Sequence, residues 1–516
     1  MAAFEALLIL LLVAVVLAAL ARRVGVPYPA FLAIGGVGLA FMPGTPSLTI
    51  EPHLALALFV APILLDAAFD ASPRDLKANW VPLVSLVVVG VAVTTVAVAV
   101  VVKALVPAAP WAAVIALGAI VSPPDATAAT AVLRHVKPPH RILTILEGES
   151  LLNDASALLI YRLALGAMAA REFSIGTVAP TFLLAVVGSL ITGPALAWLM
   201  LRGTRHMQDA PTTIILQFIS TFGVWILAEE IGLSGVLTMV SFALALARPA
   251  SSTTPARLRI PSYAVWDTAV FVLNVLAFVF IGLQVRPILA SLEPAVRTQY
   301  LWVAGAVLVT VILVRIAWVL TYYFAVSGLQ QWFGATQPAR SRPTFGGTLI
   351  VGWSGMRGIV TLAAALALPL SMGGTPFPYR DLMVLTAFAV VLGTLVIQGL
   401  TLGPLLRMLD VPDDRTVDRE VAAARKRALA AAVATFDGDD SDDSRSVRRE
   451  FETHLGSEPG ASSETDAKHL QLHETATVAA RQAVFEMRET GEIGDAAFHR
   501  LEEEFDWMEM AHGQRE

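Results

Sequence analysis

Through most of this chain apolar residues do not alternate with polar ones; they run in blocks. From Phe4 to about Leu406 long hydrophobic stretches are separated by short polar segments. They lack both the period-two pattern of a half-buried strand and a polar stripe along a helix. Blocks of this length satisfy their backbone hydrogen bonds in a bilayer only as helices. The pattern predicts an all-α, polytopic membrane protein with about thirteen spans: 4–20, 29–42, 52–71, 80–102, 111–133, 142–170, 175–201, 212–229, 232–247, 263–285, 299–325, 344–371 and 382–406. The second is short and rich in glycine (Gly35, Gly36, Gly38), which suits a tilted or partly buried helix.

Composition sharpens this picture. The chain has 516 residues, 56% of them hydrophobic and 15% charged, and it has no cysteine, so disulfides are excluded. The first block has no basic residue in front and is followed by Arg22 and Arg23. A cleavable leader carries its positive charge in front, so this block is expected to be a retained first helix. Charge also divides the chain: 23 Lys and Arg stand against 16 Asp and Glu up to Leu409, and 13 against 26 beyond it. A membrane domain over 1–408 and an acidic tail over 409–516 are therefore expected. Within the tail, helices are expected at 419–436, 470–488 and 495–510, with acidic and Gly/Ser-rich linkers between them. Nothing in it suggests catalysis or nucleic-acid binding.

Loop charge predicts orientation. Loops after odd-numbered spans hold most of the basic residues, among them Arg74, Lys77, Arg134, Lys137, Arg141, Arg202 and Arg340. Loops after even-numbered spans hold only Lys103, Arg171, Arg286, Arg297 and Arg380. By the positive-inside rule the odd loops and the tail are cytoplasmic and the amino terminus is outside.

Against this background, polar groups inside spans stand out, because a charge at bilayer depth costs about 2.5–3.5 kcal/mol on insertion scales. The sixth span contains Glu147-Gly148-Glu149-Ser150-Leu151-Leu152-Asn153-Asp154. Ser150 and Asp154 share one helical face with Glu147 a turn below, while Glu149 and Asn153 share the neighbouring face. Counted from Thr144, Asp154 lies about 15 Å along the span at 1.5 Å per residue. The fifth span contains Ser122-Pro123-Pro124-Asp125, and two prolines break a helix by removing donors. Such a break is expected to free the carbonyls of Ala119 and Ile120, and it places Asp125 at a depth similar to that of Asp154. The third span carries Asp66. The twelfth has a glycine-softened centre, Gly352-Trp353-Ser354-Gly355-Met356-Arg357-Gly358. A lone buried cation needs a partner, and Glu149 is the expected one for Arg357. Arg162 and Arg315 read as packing or interfacial residues, and Asp267, Glu229 and Glu230 as interfacial acids. An interrupted helix in each half of the chain, the fifth and the twelfth span, suggests an inverted repeat of the kind found in secondary transporters.

The run from Glu147 to Asp154 resembles the signature of the sodium/proton exchanger branch of the monovalent cation:proton antiporters. Gly118-Ala119-Ile120-Val121-Ser122 leading to Asp125 resembles a second segment of that family. Asn274 with Phe280-Ile281-Gly282-Leu283-Gln284, and Trp353-Ser354-Gly355-Met356-Arg357-Gly358, resemble others. The resemblance covers nearly all of 1–408. It implies a homodimer of inverted-repeat protomers, each with two discontinuous helices. Asp154 would be the essential ion- and proton-binding carboxylate and Asn153 the mark of electroneutral exchange. Ser150, Asp66 and Asp125 would complete the monovalent-cation site, and Glu149–Arg357 would be a structural ion pair. No cofactor is implied beyond the transported Na+ and H+. Pro124 and Ala126 depart from the family, where threonine commonly precedes and proline follows the aspartate at the break.

The expected activity is exchange of Na+ or Li+ for H+ by alternating access, in the inner membrane of a cell. Potassium/proton exchange is the alternative within the class. A cation channel is the alternative outside it, although neither a repeated pore loop nor a charge ring is visible. An intramembrane hydrolase is disfavoured, since no Ser/His pair or His-Glu-x-x-His motif falls in a span. Surrounding lipid and a regulator bound to the tail are the other expected partners.

Overall fold

The computed structural model describes residues 2–409 except 25, 44–50, 137, 170–174, 205–206, 208, 254–255, 334–342 and 373–374, together with scattered positions from 411 to 442. The chain divides into two compact units, Met1–Asp414 and Arg415–Glu516. The helices expected in the tail lie largely outside the described residues.

Every predicted span is occupied by helix. The first seven helices are α1 (Ala2–Val24), α2 (Tyr28–Ala40), α3 (His53–Asp70), α4 (Pro73–Ala78), α5 (Trp80–Leu105), α6 (Trp111–Val121) and α7 (Ala126–Val136). Next come α8 (His140–Ala169), α9 (Ile175–Thr204), α10 (Ala210–Glu230), α11 (Gly235–Thr253), α12 (Ala256–Leu283) and α13 (Val285–Ala290). The chain continues through α14 (Pro294–Phe333), α15 (Phe345–Trp353) and α16 (Ile359–Leu366) to α17 (Arg380–Leu409). A two-residue hairpin, β1 (Ser371–Met372) and β2 (Thr375–Pro376), precedes α17. Among the described residues nine stretches are long and apolar enough to cross a membrane, and Tyr28–Ala40 and Gly235–Ala247 are shorter apolar helices.

Large apolar side chains such as Leu184, Trp198 and Trp302 face outward, which water would penalise and lipid would not. The interior is built on close backbone approach. Added side-chain carbons on Gly36 and Gly282 would overlap the carbonyls of Val279 and Ala33 respectively, so α2 packs tightly on α12 only because these positions are glycine. This accounts for Gly36 of the glycine-rich second span, whereas Gly38 has open space beside it. Two π-helical turns, Leu56–Val60 in α3 and Ser85–Gly90 in α5, widen their helices. A widened turn leaves carbonyls for other donors, and the Ser85 carbonyl accepts from Trp318 Nε1 of α14 at 3.2 Å.

Outside the spans, α4 is tied to the start of α8. Asp75 Oδ2 lies 3.2 Å from His140 Nε2, and Arg141 Nε donates to Asn79 Oδ1 at 3.0 Å. Burial pushes the Asp75 carboxyl up, but hydrogen bonds from Arg74, His140 and Ser72 outweigh it and hold the group below its ordinary value. Stability from a depressed carboxyl is present above its unfolded pKa, near 4, and is lost as pH falls through the lower folded value. Asp75→Asn is therefore expected to cost about 1 kcal/mol at neutral pH. In thermal unfolding of the detergent-solubilised protein, the gap from wild type should close on acidification below about pH 4.

Candidate ion-binding site

The first broken helix stops before its prolines. Helix α6 ends at Val121, residues 122–125 lie outside any helix, and α7 begins at Ala126. The carbonyls that accept from outside the helix are consequently not Ala119 and Ile120, as expected, but Val121, Ser122 and Pro124. Asp125 caps α7, its Oδ1 accepting from Thr127 N at 2.8 Å. Its own amide donates to the Met356 carbonyl at 2.7 Å. Ser150 Oγ accepts from Ala126 N at 3.1 Å. That bond exists because residue 126 is alanine; proline has no amide hydrogen to give. The departure from the family pattern thus engages Ser150 in holding the break.

The second break lies between α15 and α16. There Arg357, 1% exposed, is held by backbone. Its Nε donates to the Val121 carbonyl at 3.1 Å, its Nη2 to the Ser122 carbonyl at 3.3 Å and its Nη1 to the Gly355 carbonyl. Its amide donates to Thr394 Oγ1 of α17 at 3.0 Å. A guanidinium at the carboxyl end of α6 meets the negative end of that helix's dipole. Asp125 makes the converse contact: its carboxylate packs on Gly358, where any side chain would overlap it, just ahead of α16. Each break therefore braces the other, Arg357 on the carbonyls of the first and Asp125 N on the Met356 carbonyl of the second, which lets both survive inside the bundle.

This arrangement corrects one expectation. Glu149 does not pair with Arg357. It pairs with Arg315 of α14, Nη1 to Oε1 at 2.5 Å and Nη2 to Oε2 at 2.8 Å, and Arg315 Nη2 also donates to the Val351 carbonyl at 3.0 Å. Arg357 already serves the carbonyls released by the first break, a demand that pairwise charge matching overlooks. The available signal was the isolation of Arg315 midway along a forty-residue apolar helix.

Asn153 lies against the first break. It is fully buried, and its Nδ2 donates to the Pro124 carbonyl at 2.8 Å. It braces the break and is not among the residues lining the ion chamber described next.

Asp66, Asp125, Ser150 and Asp154 do come together. They line a chamber of about 540 Å3, walled also by α12 and the start of α16. The chamber extends from Asp154 past Glu147 and Thr130 toward the helix ends that bear the basic loops. Further polar residues line it, among them Asp70, Asp267 and Asn274. Asp70 is one turn beyond Asp66 on the same helical face, and Asn274 is two turns from Asp267, so both were within reach of helical periodicity. Asp267, expected at an interface, belongs to the chamber wall.

Two carboxylates on one chamber, Asp125 and Asp154, backed by two broken helices, have the form of a secondary-transporter site. Comparison with known proteins agrees. A model of the sodium/hydrogen exchanger transmembrane domain matches residues 8–408. The chain belongs to the sodium/hydrogen exchanger family. It is 30% identical over 507 residues to the sodium, potassium, lithium and rubidium/H+ antiporter of Bacillus subtilis, covering 94% of this chain and 74% of that one. To the Na+/H+ antiporter NhaS2 of Synechocystis it is 28% identical, over 83% of this chain and 75% of the relative. The solved structure of the sodium proton antiporter MjNhaP1 from Methanocaldococcus jannaschii superposes with a TM-score of 0.60 at 18% identity. That match covers 80% of this exchanger and all of MjNhaP1, and it establishes the inverted-repeat antiporter fold. This exchanger is accordingly a multi-pass membrane protein of a transporter family.

Proposed function

We propose that this exchanger moves one sodium ion against one proton by alternating access, with Asp154 as the group the two share. The observation that carries the reading is the placement of Asp154 at the blind end of the chamber, beside Asp125 and Ser150. Two neighbouring carboxylates removed from water cannot both stay bare at low cost, so a proton or a hard monovalent cation must compensate them. Carboxylate, hydroxyl and carbonyl oxygens suit such a cation. A proton and a cation compete for the same oxygens, and because Asn153 adds no charge, the site holds one or the other. That competition makes the exchange electroneutral.

Ser150 and Asp66 supply further oxygens, with Asp70, Glu147 and Asp267 attracting cations along the approach. Asn153, Arg357 and the Glu149–Arg315 pair hold the site's geometry. The basic-loop side, toward which the chamber extends, is cytoplasmic in this reading. The thirteen spans then place the amino terminus outside, with residues 409–516 forming a cytoplasmic tail that receives a regulator. The protein is a homodimer of the inner membrane.

Potassium/proton exchange is the second reading, favoured by the name of the Bacillus relative, which includes potassium, lithium and rubidium. Proteoliposomes with an imposed pH gradient decide between them. Sodium and lithium are expected to collapse the gradient at lower concentration than potassium, without generating a membrane potential. Equal or greater potency of potassium would replace the first reading by the second, and a sodium-driven potential would remove electroneutrality.

A further inference from the structure

The chamber gives Asp154 access to one side of the membrane only. An exchanger needs a second route, and the structure marks its course. On the far side of Asp154 lies a void of about 10 Å3, lined by Ile120, Pro123, Ala157, Leu158, Tyr161, Val360 and Ala364 besides Asp154 itself. That is room for no more than a single water. Asp154, Ala157, Leu158 and Tyr161 are spaced three, four and seven residues apart, one stripe of α8 running about 10 Å away from the chamber. Tyr161 is the one polar side chain on the far part of this stripe. Immediately after it, Arg162 Nη2 of α8 reaches Glu229 Oε2 at the end of α10, at 3.3 Å. The other oxygen, Glu229 Oε1, accepts from Gly235 N at the start of α11 at 3.0 Å. One carboxylate thus ties the far end of the ion-site helix to the α10–α11 turn.

We propose that the stripe Ala157–Leu158–Tyr161, facing Val360 and Ala364 of α16, is the path by which Asp154 reaches the side opposite the chamber. Tyr161 is its seal in this state, and the Arg162–Glu229 pair is the contact that parts when it opens. The idea rests on the exchange reading above. Two turns of apolar side chains with no space for a water file exclude a hydrated cation, which keeps the carrier from leaking while the chamber is open. A half-exposed ion pair is weak enough to break within a transport cycle.

The native chain has no cysteine, so single-cysteine variants report accessibility without background. Leu158→Cys, Ala364→Cys and the chamber-wall control Ala67→Cys are each treated with a membrane-impermeant trimethylammonium methanethiosulfonate, in right-side-out and inside-out vesicles under a sodium gradient. Ala67→Cys is expected to react from the basic-loop side. Leu158→Cys and Ala364→Cys are expected to react from the opposite side, about two- to fivefold faster when Glu229→Gln is added, the range a half-exposed pair can contribute. Tyr161→Ala should raise their reactivity further and admit a proton leak without sodium. Reaction of both test cysteines only from the basic-loop side, or from neither, in vesicles that still exchange would overturn the proposed path. Absence of sodium/proton exchange by the wild-type chain, with Ala67→Cys reacting normally, would instead overturn the exchange reading itself.

Discussion

Asp154→Asn is expected to abolish sodium-driven proton movement in reconstituted vesicles while the protein remains folded. The amide is isosteric with the carboxyl but can neither release a proton nor offer a charged oxygen to a cation, so both halves of the exchange fail together. Flux is expected to fall below about one hundredth of wild type, the scale on which a proton-carrying side chain contributes. Thermal unfolding should move little, because replacing one acid of a crowded pair by a neutral group removes repulsion rather than a hydrogen bond. Asp154→Glu, which keeps the charge and moves it by one methylene, should retain measurable exchange with weakened sodium dependence. Robust exchange by Asp154→Asn would transfer the central role to Asp125.

The second large effect concerns stability. Glu149 and Arg315 are 2% and 7% exposed at the side chain and bonded in parallel. Removing either partner leaves an uncompensated charge in the bundle, a loss of about 3–5 kcal/mol. Glu149→Gln and Arg315→Met should each lower the unfolding midpoint strongly in detergent, and the double variant should recover most of the loss, since no bare charge remains. Glu149→Gln with Arg357→Met should show much weaker coupling, because Arg357 is held chiefly by carbonyls. A cycle in which Arg357 rather than Arg315 couples to Glu149 would reverse the assignment made from the structure.

These two cases also mark where sequence reasoning held and where it ran out. Hydrophobic block length fixed the class and the positions of the helices, because a bilayer leaves the backbone no other way to satisfy its hydrogen bonds. The double proline at 123–124 and the glycines around Arg357 announced both breaks, since each acts locally on the backbone. Helical periodicity grouped Ser150 with Asp154, and it could have added Asp70 to Asp66. Partner choice was not local. Glu149 and Arg315 are 166 residues apart, and which of two buried arginines it meets depends on how α14 and the second break lie against α8. Nor could spacing reveal that Asn153 would face the Pro124 carbonyl while its neighbour Asp154 faced the chamber.

By itself, then, the sequence determined a helical membrane protein with two interrupted helices and a set of intramembrane carboxylates, because insertion cost, helix period and proline chemistry are properties of a few adjacent residues. The tertiary structure alone decided how the two breaks brace each other, the Glu149–Arg315 pair and the chamber that brings Asp66, Asp125, Ser150 and Asp154 together. Each of these depends on groups far apart in the chain meeting in a medium of low dielectric, where an unpaired charge or an unmade hydrogen bond is costly enough to dictate which partners meet.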